Sequence, residues 1–584
     1  MILETIDWLC IAVFFIISLF IGLITSRKAG SSAKEFFLSG RNMPWWLLGV
    51  SMVATTFSAD TPNLVTDIVR QNGVSGNWTW WAFLLTGMLT VFVYARLWRR
   101  LGVMTDLEFY ELRYSGKAAA FLRGFRAVYL GIFFNVVIMA TVCLAAIKIG
   151  GIVLNLSPIA SLTIALSVTV LYSSLGGLRG ILLTDFFQFI IAMIGSIWAT
   201  VVILDLPQVG GLTNLLQSPE IQGKLDFFPD FSNMELLIPL FILPLAVQWW
   251  SVWYPGSEPG GGGYVAQRML AAKSENHALT ATLFFNVAHY ALRPWPWIII
   301  ALCSIKVFPD LISIQKAFPH LDPGIVKHDT AYPAMITLLP SGLMGLMVAS
   351  LIAAFMSTIS THLNWGASYV VNDFYLRFIN SNASEKQLVS IGRITTVILM
   401  IASGCIALFL SNALQAFQIL LQIGAGTGLL FILRWFWWRI NAYSEITAMI
   451  VSFIVALYFS LFSSGLSPHV ELCIGVAITT ISWILVTFLT PATDEKVLMS
   501  FYQLVQPGGA GWKPIADKVK KQDKIGSIPT AILCMVLGCF STYSALFATG
   551  YWLYGNYFMA SLLTTATIIS SALLWLCWSR ESQK

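Results

Sequence analysis

The sequence predicts an all-α polytopic membrane protein, built as a five-plus-five inverted repeat with one extra N-terminal helix and about four extra C-terminal helices. Three observations carry this. Of 584 residues, 57% are hydrophobic and only 11% are charged, against about 25% charged in an ordinary soluble protein. Apolar runs of about 20 residues recur roughly 15 times, each long enough to cross hydrocarbon as a helix that satisfies its own backbone. Two of these runs are interrupted by proline and polar residues, and each stands first in a group of five.

The runs fall near 6–25, 44–69, 78–97, 125–150, 157–175, 181–204, 236–254, 280–305, 335–372, 390–410, 414–437, 442–462, 470–490, 528–549 and 555–577. In the first, Glu4 and Asp7 precede the apolar stretch and Arg27 and Lys28 follow it, which predicts a retained span with its N-terminus outside rather than a signal peptide. With that orientation roughly 27 of the 34 Lys and Arg fall on the inner side, as the positive-inside rule expects. They lie in "SRKAGSSAKEFFLSGR", "RLWRRLGVMTDLEFYELRYSGK", "QRMLAAK" and "GWKPIADKVKKQDK". The net charge of +6 is therefore topological, and nucleic acid is excluded as a partner; the lipid bilayer is the partner that the composition demands.

The interruptions set the repeat. In "MVATTFSADTPNLV", Met52–Val65, Pro62 removes a backbone donor and the hydroxyls around it offer local bonds, so the helix breaks near Phe57–Pro62. An ionised Asp in such a segment costs roughly 2.5–3.5 kcal/mol on insertion scales, and a break that lines a polar site offsets it. "LPLAVQWWSVWYPGSEPGGGG", Leu243–Gly263, breaks the seventh run in the same way. Each group holds five helices, an odd number, so the second group enters the membrane in the opposite sense. The resulting organisation is an extra helix and loop at 1–43, a first repeat at 44–205, an outer connection at 206–235, a second repeat at 236–440, and extra helices at 441–584 around an inner loop at 491–527.

Other chemistries find little footing. The eight cysteines sit in apolar segments without paired spacing, and the six histidines lack the HExxH pattern of a zinc site. "PGGAGWKP" is not a phosphate loop, because Trp512 and Pro514 flank Lys513, and "GAGTG", Gly424–Gly428, has no βαβ context and reads as a close helix contact. No nucleophile and base pair stands at helical spacing, so an enzyme is not expected. With "WSRESQK" close behind the last apolar run, a signalling output domain is not expected.

Polar residues within the spans mark the site. In "VASLIAAFMSTISTHLNWGASYVVNDFY", Ala354, Ser357, Thr358 and Thr361 share one helical face and Ser360 stands beside them. Asp185, early in the sixth span, either caps or pairs with Arg179, or supplies an anionic ligand for a cation. Exposed carbonyls at a break and nearby hydroxyls are hard ligands suited to a small cation.

Four stretches, "FFLSGRNMPWWLLGVSMVATTFSAD", "YSSLGGLRGILLTDFFQF", "AQRMLAAKSENHA" and "GLMVASLIAAFMSTISTHLN", resemble the sodium:solute symporter family over about residues 30–440. The resemblance implies a LeuT-like fold and a main sodium site on the carbonyls of Ala54, Phe57 and Ala354 with the hydroxyls of Ser357 and Thr358. It also implies that a two-sodium design, as in sialic acid transporters, would place a second ion on Asp185, Ser357, Ser360 and Thr361. One or two co-transported Na+ ions follow. The chain departs from the family at Asp60 and Thr61, where a carboxylate followed by Gln is frequent.

Solute candidates project toward the same centre: Ser58, Asp60 and Thr61 from the first break, Trp80 and Trp81 from its neighbour, and Gln248, Trp249 and Trp253 from the second break. Gln418 and Gln422, with Gln415, share a face of span eleven. Arg293 in "HYALRPWPW" must face protein or a water-filled cavity, where it either neutralises Asp60 or binds a carboxylated solute. The expected function is sodium-coupled symport of a small polar solute, a sugar, amino acid or organic acid, across the plasma membrane. The alternatives are proton coupling and a transporter-like sensor without transport.

Overall fold

A computed structural model describes residues 3–250, 259–410, 413–462, 464–519 and 528–582. Helices build the described residues; no strand forms, and one isolated parallel bridge joins Met43 to Ala272. The first helix, α1 (Thr5–Ala29), is continuous. The second span is split into α2 (Trp45–Thr56) and α3 (Thr61–Asn72), as the proline and threonines require. Then follow α4 (Val74–Leu101) and α5 (Gly116–Leu154), and α6 (Pro158–Leu204), two helices carrying the fifth and sixth apolar runs, between which the chain reverses at Gly177. Gly177 takes φ +53°, and a Cβ there would meet the Phe36 carbonyl at 2.9 Å. Only glycine fits that corner.

The second group repeats the plan. Its broken member is α7 (Met234–Ala246) with α8 (Gly263–Ala271), and the segment between them includes 251–258, outside the described residues. After it come α9 (Glu275–Val307), α10 (Leu343–Ile379), α11 (Glu385–Ala407) and α12 (Ala413–Phe436). Four more helices close the chain: α13 (Ala442–Leu461), α14 (Pro468–Leu489), α15 (Ile528–Leu553) and α16 (Tyr557–Ser582).

Ten helices among the described residues are long and apolar enough to cross a membrane unaided. The roughly 15 runs expected from hydropathy exceed this number because the two broken spans fall into shorter pieces, the fifth run counts only as the short helix Pro158–Val170, the eighth is bent by 83° against Leu311–Ala317, and part of the eleventh lies outside the described side chains. One boundary moves: the run expected at 335–372 starts as a helix only at Leu343, because the short helix Ala331–Ile336 and a turn at Pro340–Gly342 occupy its first residues.

Burial orders the helices into shells. The apolar window of α10 is 89% buried, against 28% for α1 and 17% for α16, so α10 is the axis and α1, α13, α14 and α16 lie outside, whereas α15 at 56% packs into the bundle. The peripheral α1 is fixed by one carboxylate. Asp7, fully buried, accepts the backbone N–H groups of Gly342 and Gly345, each at 2.7 Å, at the start of α10. Those N–H groups have no partner within their own helix, and the negative charge suits the helix N-terminus.

Five spans contain π-helical stretches: Thr90–Tyr94, Tyr129–Phe134, Ile238–Ile242, Ala288–Leu292 and Tyr369–Ile379. The connection between α9 and α10 folds back over α3 and α5. Lys148 of α5 meets Asp329 at 2.6 Å, and Arg70 of α3 donates to the carbonyls of Ser304 and Phe308 at 2.8 and 2.7 Å.

Candidate functional site

The first break is built by residues 57–60. Thr56 bonds its hydroxyl back to the carbonyls of Met52 and Val53, and Phe57 leaves the helix at φ −85°, ψ 69° with its N–H on the carbonyls of Val53 and Ala54. Thr61 restarts the helix with its N–H on the Ser58 carbonyl, and Pro62 stands in the first turn where its missing donor costs nothing. The Ala54 carbonyl keeps a second lone pair for another partner.

Facing that break, α10 presents its hydroxyl face. Thr358 donates to the Thr55 carbonyl at 2.8 Å, and the Thr55 and Thr361 hydroxyls lie 3.1 Å apart. Ala54, Phe57, Ala354 and Ser357 line a common void with Ala353, Gln188, Phe189 and Ala192. The void leaves no room for a water molecule. Four of the five residues expected at the main sodium site line this void; Thr358 does not, its hydroxyl being turned to the Thr55 carbonyl.

Gln188 is the residue that sequence reasoning missed here. It is 2% exposed, lines the void, and has no hydrogen-bond partner at either side-chain amide atom. Its signal was its place three residues after Asp185, on the same face of α6.

The residues expected at the second site meet only in part. Asp185 is fully buried and accepts the hydroxyls of Ser51 at 2.5 Å and Ser357 at 2.7 Å; its place between α2 and α10 is not that of a helix-end cap. Ser360 turns back to the Ser357 carbonyl at 3.1 Å. Thr361 receives a bond from Arg268 Nη2 at 2.8 Å, and the same guanidinium lies 3.2 Å from Ser51 Oγ and 3.9 Å from Asp185. The stretch "QRMLAAK" was expected in an inner connection. It instead contributes to α8, all nine residues of which are buried.

Solute candidates are distributed unevenly. Ser58 is buried in the break, Asp60 is half-buried just before α3, and Thr61 donates to the Thr56 carbonyl at 3.2 Å. Asp60 also lines a water-sized chamber with Asn63, Asp67, Lys148 and Asp329. Trp80 stacks on Tyr290 at 5.8 Å, but Trp81 is fully buried among Trp78, Trp80 and Phe547 and serves packing. Gln248 donates to the Thr79 carbonyl at 2.9 Å, and the Trp249 carbonyl accepts the Thr86 hydroxyl, so both tie the second break to α4 and its lead-in. Arg293 goes not to Asp60 but to the Val53 carbonyl at 3.0 Å and to His289, where its charge complements the C-terminal end of α2. Trp253 and the side chains of Gln415, Gln418 and Gln422 lie outside the described residues.

Two broken helices, an axial hydroxyl-bearing helix and a buried carboxylate define a membrane carrier that couples a cation to a solute. A model of the sodium:solute symporter family matches residues 36–452, and the chain belongs to that family. It is similar to a sodium/glucose cotransporter of Vibrio parahaemolyticus, 26% identical over 78% of this chain and 85% of the relative. It is also similar to a sodium/myo-inositol cotransporter 2 of Oryctolagus cuniculus, 26% identical over 75% and 67%. A solved Na+-coupled sialic acid symporter shares the fold, with a TM-score of 0.65 at 20% identity over 84% of this chain and 99% of that one. The protein is a sodium-coupled secondary active symporter, an integral multi-pass membrane protein and not an enzyme.

Proposed function

We propose that a sodium ion binds between α2 and α10 on Ala54, Phe57, Ala354, Ser357 and Thr358, with the Gln188 amide oxygen as a further neighbour. The carrying observation is the void that Ala54, Phe57, Ala354, Ser357 and Gln188 share, with the Thr358–Thr55 bond joining the same two helices. An ion there pins the break to the axial helix and completes the solute site next to Ser58 and Asp60. Coupling follows because sodium and solute each favour the same conformation, and a ligand binding all states equally shifts nothing. At about −100 mV each inward sodium contributes roughly 2.3 kcal/mol from the potential alone. The N-terminus lies outside and the C-terminus inside, as the distribution of Lys and Arg favours.

The solute in this reading is a small neutral polyhydroxylated molecule. The relatives named for glucose and myo-inositol favour it. The carboxylates of Asp60, Asp67 and Asp329 around the chamber, balanced there by Lys148, disfavour an organic acid. Uptake of labelled hexoses, inositols, amino acids and organic acids into proteoliposomes, with an inward sodium gradient against potassium, tests it. Accumulation of a polyol only with sodium is expected; accumulation driven equally by a proton gradient without sodium overturns it.

A further inference from the structure

The guanidinium of Arg268 lies inside the group of side chains suited to a second sodium ion. It reaches Ser51 Oγ at 3.2 and 3.4 Å and Thr361 Oγ1 at 2.8 Å, and stands 3.9 Å from the Asp185 carboxylate. Both charged side chains are fully buried. We propose that Arg268 is a place-holding cation: its guanidinium and a sodium ion occupy the Asp185 cage alternately. The inference rests on the sodium reading above and adds to it a residue that governs affinity at the second position.

The contacts favour an exchangeable occupant over a permanent pair. A locked Arg–carboxylate pair closes to direct, often bidentate, hydrogen bonds below 3 Å. Here the carboxylate gives its short bonds to Ser51 and Ser357, and the guanidinium is held chiefly by hydroxyl oxygens of the type that ligate sodium. Arg268 also has holds outside the cage: Nη1 donates to Gln267 Oε1 at 2.9 Å, and the guanidinium lies 5.8 Å from the Tyr264 ring centre. These remain within its reach when the cage is given up.

Alternate occupancy solves a charge problem of the transport cycle. After sodium leaves, Asp185 would remain a buried carboxylate without a positive neighbour, a state that costs several kcal/mol and would stall the return of the empty carrier. Arg268 swinging in from α8 restores neutrality. Since α8 is one half of the second broken helix, the swing also ties both broken helices to α6 and α10 in the sodium-free state. Sodium and the guanidinium then compete, and the competition weakens the apparent sodium affinity.

Sodium alone is the probe. Purified full-length protein is titrated with NaCl against choline chloride at constant ionic strength, read by tryptophan fluorescence and thermal unfolding. Removing the competitor in Arg268→Gln raises the apparent sodium affinity about tenfold or more, Arg268→Lys returns it toward the wild-type value, and Asp185→Asn added to Arg268→Gln abolishes the gain. A purely structural arginine would instead lower sodium affinity and stability together in Arg268→Gln. A clear sodium response of equal or lower affinity in Arg268→Gln overturns the inference alone, whereas no sodium-specific response in either protein overturns the sodium reading and the inference with it. Should Arg268→Gln not fold, structures of the wild type in sodium and in choline decide: the Arg268–Thr361 bond is present in choline and lost in sodium, and its retention in both overturns the proposal.

Discussion

The Thr358 hydroxyl donates to the Thr55 carbonyl across 2.8 Å, joining the axial helix α10 to the end of α2 over a separation of 303 residues. Thr55 itself is beyond the reach of the regular helix that would have satisfied its carbonyl, because the chain leaves α2 two residues later. The contact is therefore a consequence of the break, and it fixes the distance between the two helices on which the proposed cage stands.

Thr358→Val keeps the branched shape and removes the hydroxyl. The half-saturating sodium concentration for uptake rises about tenfold, the equivalent of roughly 1.4 kcal/mol. Thr358→Ser retains the wild-type value. Initial uptake rates across a sodium series check both; an unchanged sodium dependence in Thr358→Val removes this hydroxyl from the cage.

Gln188 gives a prediction of opposite signs. Its unpartnered amide costs stability in the sodium-free protein, about 1–3 kcal/mol for a buried unsatisfied group. Gln188→Leu is thus expected to melt higher in choline than the wild type, while the further stabilisation by sodium shrinks. Differential scanning fluorimetry in the two salts measures both halves.

Lys148 and Asp329 form a buried pair at 2.6 Å that holds the connection between α9 and α10 against α5. Lys148→Met leaves the carboxylate buried and alone, with a loss of about 3–5 kcal/mol. Asp329→Asn in the same chain recovers most of that loss. Thermal unfolding of the two single variants and the double variant gives the coupling.

Asp7 caps α10 from another helix, so Asp7→Ala removes the partner of two buried N–H groups and costs about 1–3 kcal/mol. Gly345→Ala acts on the same seam, because its methyl group would collide with the Asp7 backbone. Both variants should expose α1 to limited proteolysis in detergent before the rest of the bundle opens.

How far the sequence carried these conclusions depended on the kind of signal. Spans of twenty apolar residues report themselves through hydropathy, and Pro62 with its hydroxyl neighbours reported a break that the structure places at residues 57–60. The polar face of α10 was readable because Ala354, Ser357, Thr358 and Thr361 stand three or four residues apart, whereas the ligand roles came only from the family resemblance. Arg268 was misplaced because an arginine beside Ala-Ala-Lys looks like a topological charge, and only its tertiary neighbours reveal full burial. Arg293 was aimed at Asp60 on charge alone, whereas the end of a broken helix offered a carbonyl nearer to hand. Trp81 has the composition of a sugar platform, but three aromatic rings claim its faces first.

The π-helical stretches left no mark in the apolar pattern, yet they bear on how such a bundle moves. A wider turn holds one residue more than the regular coil, and frequently marks a functional position. Tyr369–Ile379 lies at the far end of the helix that carries Ser357 and Thr358, and Ala288–Leu292 immediately precedes Arg293. Each is a store of slack: by passing the surplus residue along, a rod can rotate its polar face without drawing its ends out of the bilayer. Movement of the bundle then has built-in points of give at the end of α10 and next to Arg293, besides the break at residues 57–60.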